Sequence, residues 1–157
     1  METTKEFNRS LCEKFPFLIP HNPFSGRRIT DGAGFWPGSP DEVPEYDYEY
    51  TELDNMPDGW RIAFGEKLCE ELRDNLEKCG RLHDFFFTQI KEKYGSLRLY
   101  NIGLNEDGWQ IIYKYEVLSK KICIRCGKPA TKMTTGWISP YCDECVPQSE
   151  LSIQIEV

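Results

Sequence analysis

Two Cys-x2-Cys pairs, Cys123-Ile-Arg-Cys126 and Cys142-Asp-Glu-Cys145, stand 15 residues apart and constrain this chain more than any other feature of its sequence. Two residues between thiols let a tight knuckle turn both sulfurs toward one ion, and Gly127, directly after the first pair, favours that turn. The spacer has room for a short hairpin over residues 133–141 that brings the pairs together. Four thiolates complete a tetrahedral shell and leave no position for water or substrate. The expectation is one structural Zn2+ held by Cys123, Cys126, Cys142 and Cys145. A redox dithiol pair and an iron–sulfur cluster are the competing readings of the same spacing.

The chain has seven cysteines in all. An odd number fits metal ligation plus free thiols, with Cys12, Cys69 and Cys79 as the spares, better than a disulfide framework. No run approaches the roughly 18 apolar residues that would span a bilayer, and residues 1–14 are charged, without a secretory apolar segment. These features predict a cytoplasmic protein with no membrane partner. With 157 residues, 39% hydrophobic and 13% aromatic, the chain can build one core with rings carrying much of the burial. The expected organisation is an α+β body over residues 1–119, a zinc-ribbon-like module over residues 120–147, and a strand or tail over residues 148–157.

Within the body, residues 3–14 read as a helix with Phe7, Leu11 and Cys12 inward, ended by Phe15-Pro16. Residues 16–57 hold Pro20, Pro23, Pro37, Pro40 and Pro44 and no sustained period, which predicts a long loop wrapping the body through Phe17, Phe24, Phe35 and Trp36. Residues 60–79 are the clearest helix: Phe64, Leu68, Leu72 and Leu76 recur every four positions, Cys69 and Cys79 widen the stripe, and Gly80 stops it. A hairpin follows, from Phe85 to Lys93 and back through Leu97 to Asn101, with Tyr94-Gly95-Ser96 at its turn. A further helix over residues 107–119, capped by Asn105, carries Ile111, Ile112, Tyr115 and Leu118 inward. Asp-Gly-Trp opens both helices, at residues 58–60 and 107–109, and reads each time as an acidic first turn with a ring over the helix end. The alternation of Leu151, Ile153, Ile155 and Val157 with polar residues predicts one more strand for the hairpin sheet. The fold class is therefore a small antiparallel sheet packed by two or three helices, with the zinc module at its C-terminal end.

Charge is unevenly spread over the net −7. Residues 41–58 hold eight acidic side chains and no Lys or Arg, leaving the rest of the chain at +1. Within that stretch Glu45, Tyr46, Asp47, Tyr48, Glu49 and Tyr50 alternate acid and ring, so as a strand they would show carboxylates on one face and tyrosines on the other. Such a strand could meet a basic groove of a partner protein or imitate a nucleic-acid backbone; the plainer reading is an edge strand with buried rings and wet acids. Lys91, Lys93 and Arg98 gather about the hairpin turn. With Lys120, Lys121, Arg125, Lys128 and Lys132 they could bind phosphates, against the plainer reading of lysines that keep a hairpin edge from associating. His21 and His83 stand at no ligand spacing, and no nucleophile signature or phosphate-cradling glycine loop accompanies them.

Gln89-Ile-Lys-Glu-Lys-Tyr-Gly-Ser-Leu-Arg-Leu-Tyr100, the segment Leu53-Asp-Asn-Met-Pro-Asp-Gly-Trp60, and the double knuckle with Gly136-Trp137 before Cys142 together resemble a group of small proteins of bacteria and their phages. The resemblance covers roughly residues 50–146. It implies a helix and hairpin joined to a zinc knuckle and an origin in a bacterium or phage, and it brings no established activity. The functional expectation is a non-enzymatic, zinc-stabilised protein that binds a partner protein, as a phage-encoded inhibitor of a host system if the source is a phage. The alternative is a zinc ribbon that binds nucleic acid.

Overall fold

The structure, a computed structural model, describes residues 1–31 and 46–155. Phe35, Trp36, Pro37, Pro40, Pro44, Glu45 and Val157, all singled out above, lie outside the described residues.

Helix α1 (Thr4–Lys14) starts in a reciprocal cap: the Thr3 hydroxyl accepts from the Glu6 N–H, and the Glu6 carboxylate accepts from the Thr3 N–H. Its inner stripe is Asn8, Leu11 and Cys12, continued by Phe15. Phe7, expected inward, is 40% exposed. The stripe is set by Phe15, locked in the core at the helix end, and by Asn8, whose amide donates to the Tyr48 carbonyl at 2.8 Å. Counting back by turns from these leaves Phe7 on the margin. The Pro16–Leu18 turn then buries Phe17, which meets Phe85 and Phe87 edge-on at 5.1 and 5.7 Å.

A second long helical segment runs without a break through α2 (Asp58–Trp60), a wide π turn (Arg61–Gly65) and α3 (Glu66–Lys78). Phe64, Leu68, Cys69, Leu72 and Leu76 are buried as the four-residue recurrence predicts. Cys79 is exposed instead of widening the stripe, because the helix already ends there at φ −97°. Gly80 follows at φ 70°, and the Arg81 N–H returns to the Leu76 carbonyl at 2.9 Å, closing the helix end in the left-handed manner that glycine allows.

Strands β1 (Phe86–Lys93) and β2 (Ser96–Ile102) form the antiparallel hairpin, with a one-residue irregularity between Phe87 and Gln89. Tyr94 and Gly95 both have positive φ, 53° and 82°, the geometry of a two-residue primed turn. Helix α4 (Glu106–Ser119) lies along β2 and closes its outer edge. The Leu97 N–H donates to the Ser119 hydroxyl at 2.9 Å and the Leu99 N–H to the Glu116 carboxylate at 3.1 Å. Asn105 caps α4 by accepting from the Gly108 N–H. Because Ser119 takes the position facing the strand, Leu118, expected inward, is turned to solvent and 37% exposed. The core lies between α3, α4 and the inner hairpin face, where Trp60, Phe85, Phe87, Leu72 and Leu97 are fully buried.

A second sheet, in the order β4-β3-β5, belongs to the cysteine-rich end: β3 (Lys132–Thr134), β4 (Pro140–Tyr141) and β5 (Ser152–Gln154). The tail does form a strand, but it pairs with β3, Met133 opposite Ile153, and not with the hairpin sheet as expected. The β2 edge is already occupied by α4, so the open edge available to the tail is that of β3. Leu151 and Ile153 consequently stay exposed, at 82% and 57%. No helix among the described residues is long and apolar enough to cross a membrane.

Candidate metal centre and the cleft beside it

Each cysteine pair sits in its own tight knuckle. In the first, the Cys123 N–H donates to the Lys128 carbonyl at 2.7 Å and the Gly127 N–H to the Cys123 carbonyl at 3.1 Å, with Gly127 at φ 84°. In the second, the Cys145 and Val146 N–H groups both return to the Cys142 carbonyl. The short β3–β4 hairpin brings the knuckles together, so all four Sγ atoms lie within 4.8 Å of one another. Cys126 and Cys142 are 3.7 Å apart. A zinc tetrathiolate with Zn–S of about 2.3 Å has sulfur–sulfur edges of about 3.8 Å, so the spacing fits the ion.

The electrostatics point the same way. Burial opposes a thiolate at Cys123, yet backbone N–H groups of Cys142, Cys126 and Arg125 aimed at its sulfur bring its pKa down to about 7. Cys145 is pushed up to about 12, by desolvation and by the neighbouring thiols. Four adjacent sulfurs cannot all ionise without a compensating positive charge, and a bound dication supplies it. The four cysteines form a site for a single metal ion.

The knuckle is fastened to the body through the first Asp-Gly-Trp. The Gly59 N–H donates to the Ile124 carbonyl at 2.8 Å, and the Trp60 indole N–H, fully buried, to the Ile122 carbonyl at 3.0 Å. A Cβ on Gly59 would fall 2.1 Å from the Cys123 carbonyl oxygen, and one on Gly127 would fall 2.7 Å from the Gly59 oxygen. Two glycines face each other because only bare backbone fits there. The π turn begins at Arg61, directly after this contact, and its Ala63 still lies beside Gly127.

Lys91, Lys93 and Arg98 do share one face of the hairpin: Lys91 stands directly opposite Arg98, and Leu97 and Leu99 on either side of Arg98 are buried. None of the three pairs with a carboxylate among the described residues. Within the rest of the basic set, Lys128 meets Glu144 at 3.4 Å and Lys132 meets Asp143 at 3.9 Å, whereas Lys120, Lys121 and Arg125 meet no carboxylate among the described residues. Beside the hairpin tip lies a cleft of about 310 Å³ lined by Lys91, Lys93, Tyr94 and Glu92 on one wall and by Trp137 and Ile138 on the other. Tyr94 and Trp137 are 74% and 75% exposed. Sequence reasoning did not single out these two rings as a site. The available signal was Tyr-Gly at a two-residue turn, which places the tyrosine ring on the outside.

Residues 46–50 of the acidic segment do not form a strand. Tyr48 adopts φ 64°, and the chain bends there, bringing Tyr46 to 4.7 Å from Tyr48 and 5.6 Å from Tyr50. Tyr46 is buried and donates through its hydroxyl to the Tyr50 carbonyl. Asp47 and Glu49 stay exposed and both reach Lys5, at 3.0 and 3.5 Å. His21 stacks on Phe86 at 4.6 Å and donates from Nδ1 to the Ile19 carbonyl, while His83 is exposed. Compared with known protein families, curated proteins and solved structures, the chain matches none.

Proposed function

We propose that this chain is a non-enzymatic, zinc-stabilised binding protein that works in a cytoplasm on a protein partner, as an inhibitor of a host system if the chain is phage-encoded. The observation that carries the reading is the surface left over once the fold has closed. Tyr94, Trp137, Trp109 and Tyr113 stay between 50% and 75% exposed. Tryptophan and tyrosine are the side chains from which protein interfaces draw most of their energy. The four-thiolate shell offers no open coordination position, so the zinc serves architecture. Elemental analysis is expected to find one zinc per chain, lost in Cys142→Ser; stoichiometric zinc retained in that variant overturns the metal assignment. For the partner, affinity capture with the zinc-loaded chain followed by reconstitution from purified components is the test. Failure of any captured protein to reconstitute overturns the binding reading.

Lys91, Lys93 and Arg98, which lack carboxylate partners, favour a second reading, nucleic-acid binding. Mobility shifts over a salt series decide it, because phosphate contacts must weaken linearly in the logarithm of salt concentration.

A further inference from the structure

Resting on the protein-binding reading, we propose that the cleft between the hairpin tip and residues 136–138 receives an acidic segment of the partner protein. One apolar side chain of that segment seats between Tyr94 and Trp137, and its flanking carboxylates meet Lys91, Lys93 and Arg98.

Three cations gather on one hairpin face beside the cleft; Lys120, Lys121 and Arg125 also lack a carboxylate partner among the described residues, but they do not line this cleft. Elsewhere Lys5, Arg61, Arg73, Lys114, Lys128 and Lys132 each have a carboxylate partner within the chain. Lys91, Lys93 and Arg98 have none, although the chain as a whole carries net −7. Two of the three lie near rings: the Lys91 ammonium is 5.6 Å from the Tyr100 ring centre and that of Lys93 is 5.8 Å from the Tyr94 ring centre. Glu92, the one acid in the lining, already accepts from the Gly95 N–H at 2.8 Å. Three like charges on one face of the hairpin repel one another, and incoming carboxylates relieve that repulsion.

The cleft is also ready-made. Gly95 packs so closely on the opposite wall that a Cβ there would lie 3.0 Å from Ile138 and 3.3 Å from the Met133 sulfur. That wall is tied down in turn: the Ser139 N–H donates to the Thr134 hydroxyl at 2.9 Å, and that hydroxyl donates to the Trp137 carbonyl. Two exposed rings held on rigid turns lose little entropy when a ligand arrives. The apolar walls with a basic rim select a side chain with acidic neighbours over a polynucleotide. A nucleic-acid strand would need a longer basic track than these three cations, and Lys128 and Lys132 are already paired with Glu144 and Asp143.

Random dodecapeptides displayed against the zinc-loaded full chain test this. Selected peptides are expected to share an aromatic or aliphatic residue flanked by Asp or Glu. A synthetic copy of the best one should lose affinity by about tenfold or more with Trp137→Ala and with the double change Lys91→Ala and Lys93→Ala, and be unchanged with Ile62→Ala, an exposed apolar side chain outside the cleft. Tyr94→Asn is the second variant: asparagine suits the positive φ of the turn, so the ring is removed while the hairpin is kept. Selection of basic or unrelated peptides, binding indifferent to both ring variants, or a dT20 oligonucleotide that displaces the peptide would each overturn the proposal. A reconstituted partner complex that tolerates Trp137→Ala and Tyr94→Asn would sink the cleft alone and leave protein binding standing.

Discussion

At the scale of single residues the cysteines sort by surroundings. Cys123, Cys126, Cys142 and Cys145 converge, Cys12 and Cys69 are sealed in the core, and Cys79 is exposed at the end of α3. Burial pushes the Cys12 thiol up to about 11 and raises Cys69 as well. With zinc bound, iodoacetamide at pH 8 is therefore expected to modify Cys79 within minutes and to reach Cys12 and Cys69 only after denaturation. Peptide mapping checks it, and rapid modification of Cys69 would contradict its burial. The metal ligands were legible in the sequence because the distance between paired thiols is a local property, fixed before any tertiary contact forms. Asn8 was not legible. An amide on an amphipathic helix reads as solvent-facing, and its burial depends on a carbonyl 40 residues away. The same holds for Tyr48, whose positive φ turns an alternating pattern into a bend.

Among elements, the two Asp-Gly-Trp copies show what local pattern leaves out. Trp60 is fully buried and bonded to Ile122, whereas Trp109 is 50% exposed. Both open helices, as the sequence predicts, but only the first has the cysteine knuckle laid across it. Gly59→Ala is accordingly expected to destabilise the protein by about 2–4 kcal/mol in urea unfolding, since its methyl group meets backbone that cannot move aside. Gly136→Ala, which meets nothing within 4 Å, should change stability by less than about 0.5 kcal/mol. Equal effects would mean that the Gly59–Ile124 contact is not tight. The buried stripe from Phe64 to Leu76 follows the sequence pattern because every position of it serves one core, while Cys79, expected on that stripe, falls past the helix end and is exposed. The π turn before α3 carried no such signal: its sequence, Arg-Ile-Ala-Phe-Gly, suits an ordinary helix.

For the whole molecule, the two sheets share no strand, and the cysteine knuckle is joined to the body through Gly59, Trp60 and Gly95. Removing the metal should therefore cost more than the short sheet around it. A strong chelator is expected to lower the melting temperature by about 10 °C or more and to shift tryptophan emission to the red as Trp60 loses its acceptor. An unchanged melting curve would show that the metal is dispensable. Fold class and the metal site followed from pattern, but the placement of the tail did not. Its alternation announces a strand and says nothing of which edge is free, and the competition between α4 and β5 is settled only in three dimensions. The indole of Trp60 finds its carbonyl at residue 122. A chain emerging from the ribosome thus carries its largest core side chain without a finished seat until the first cysteine knuckle is out. The first pair of thiols to be synthesised, on this geometry, sets the moment at which the body can close.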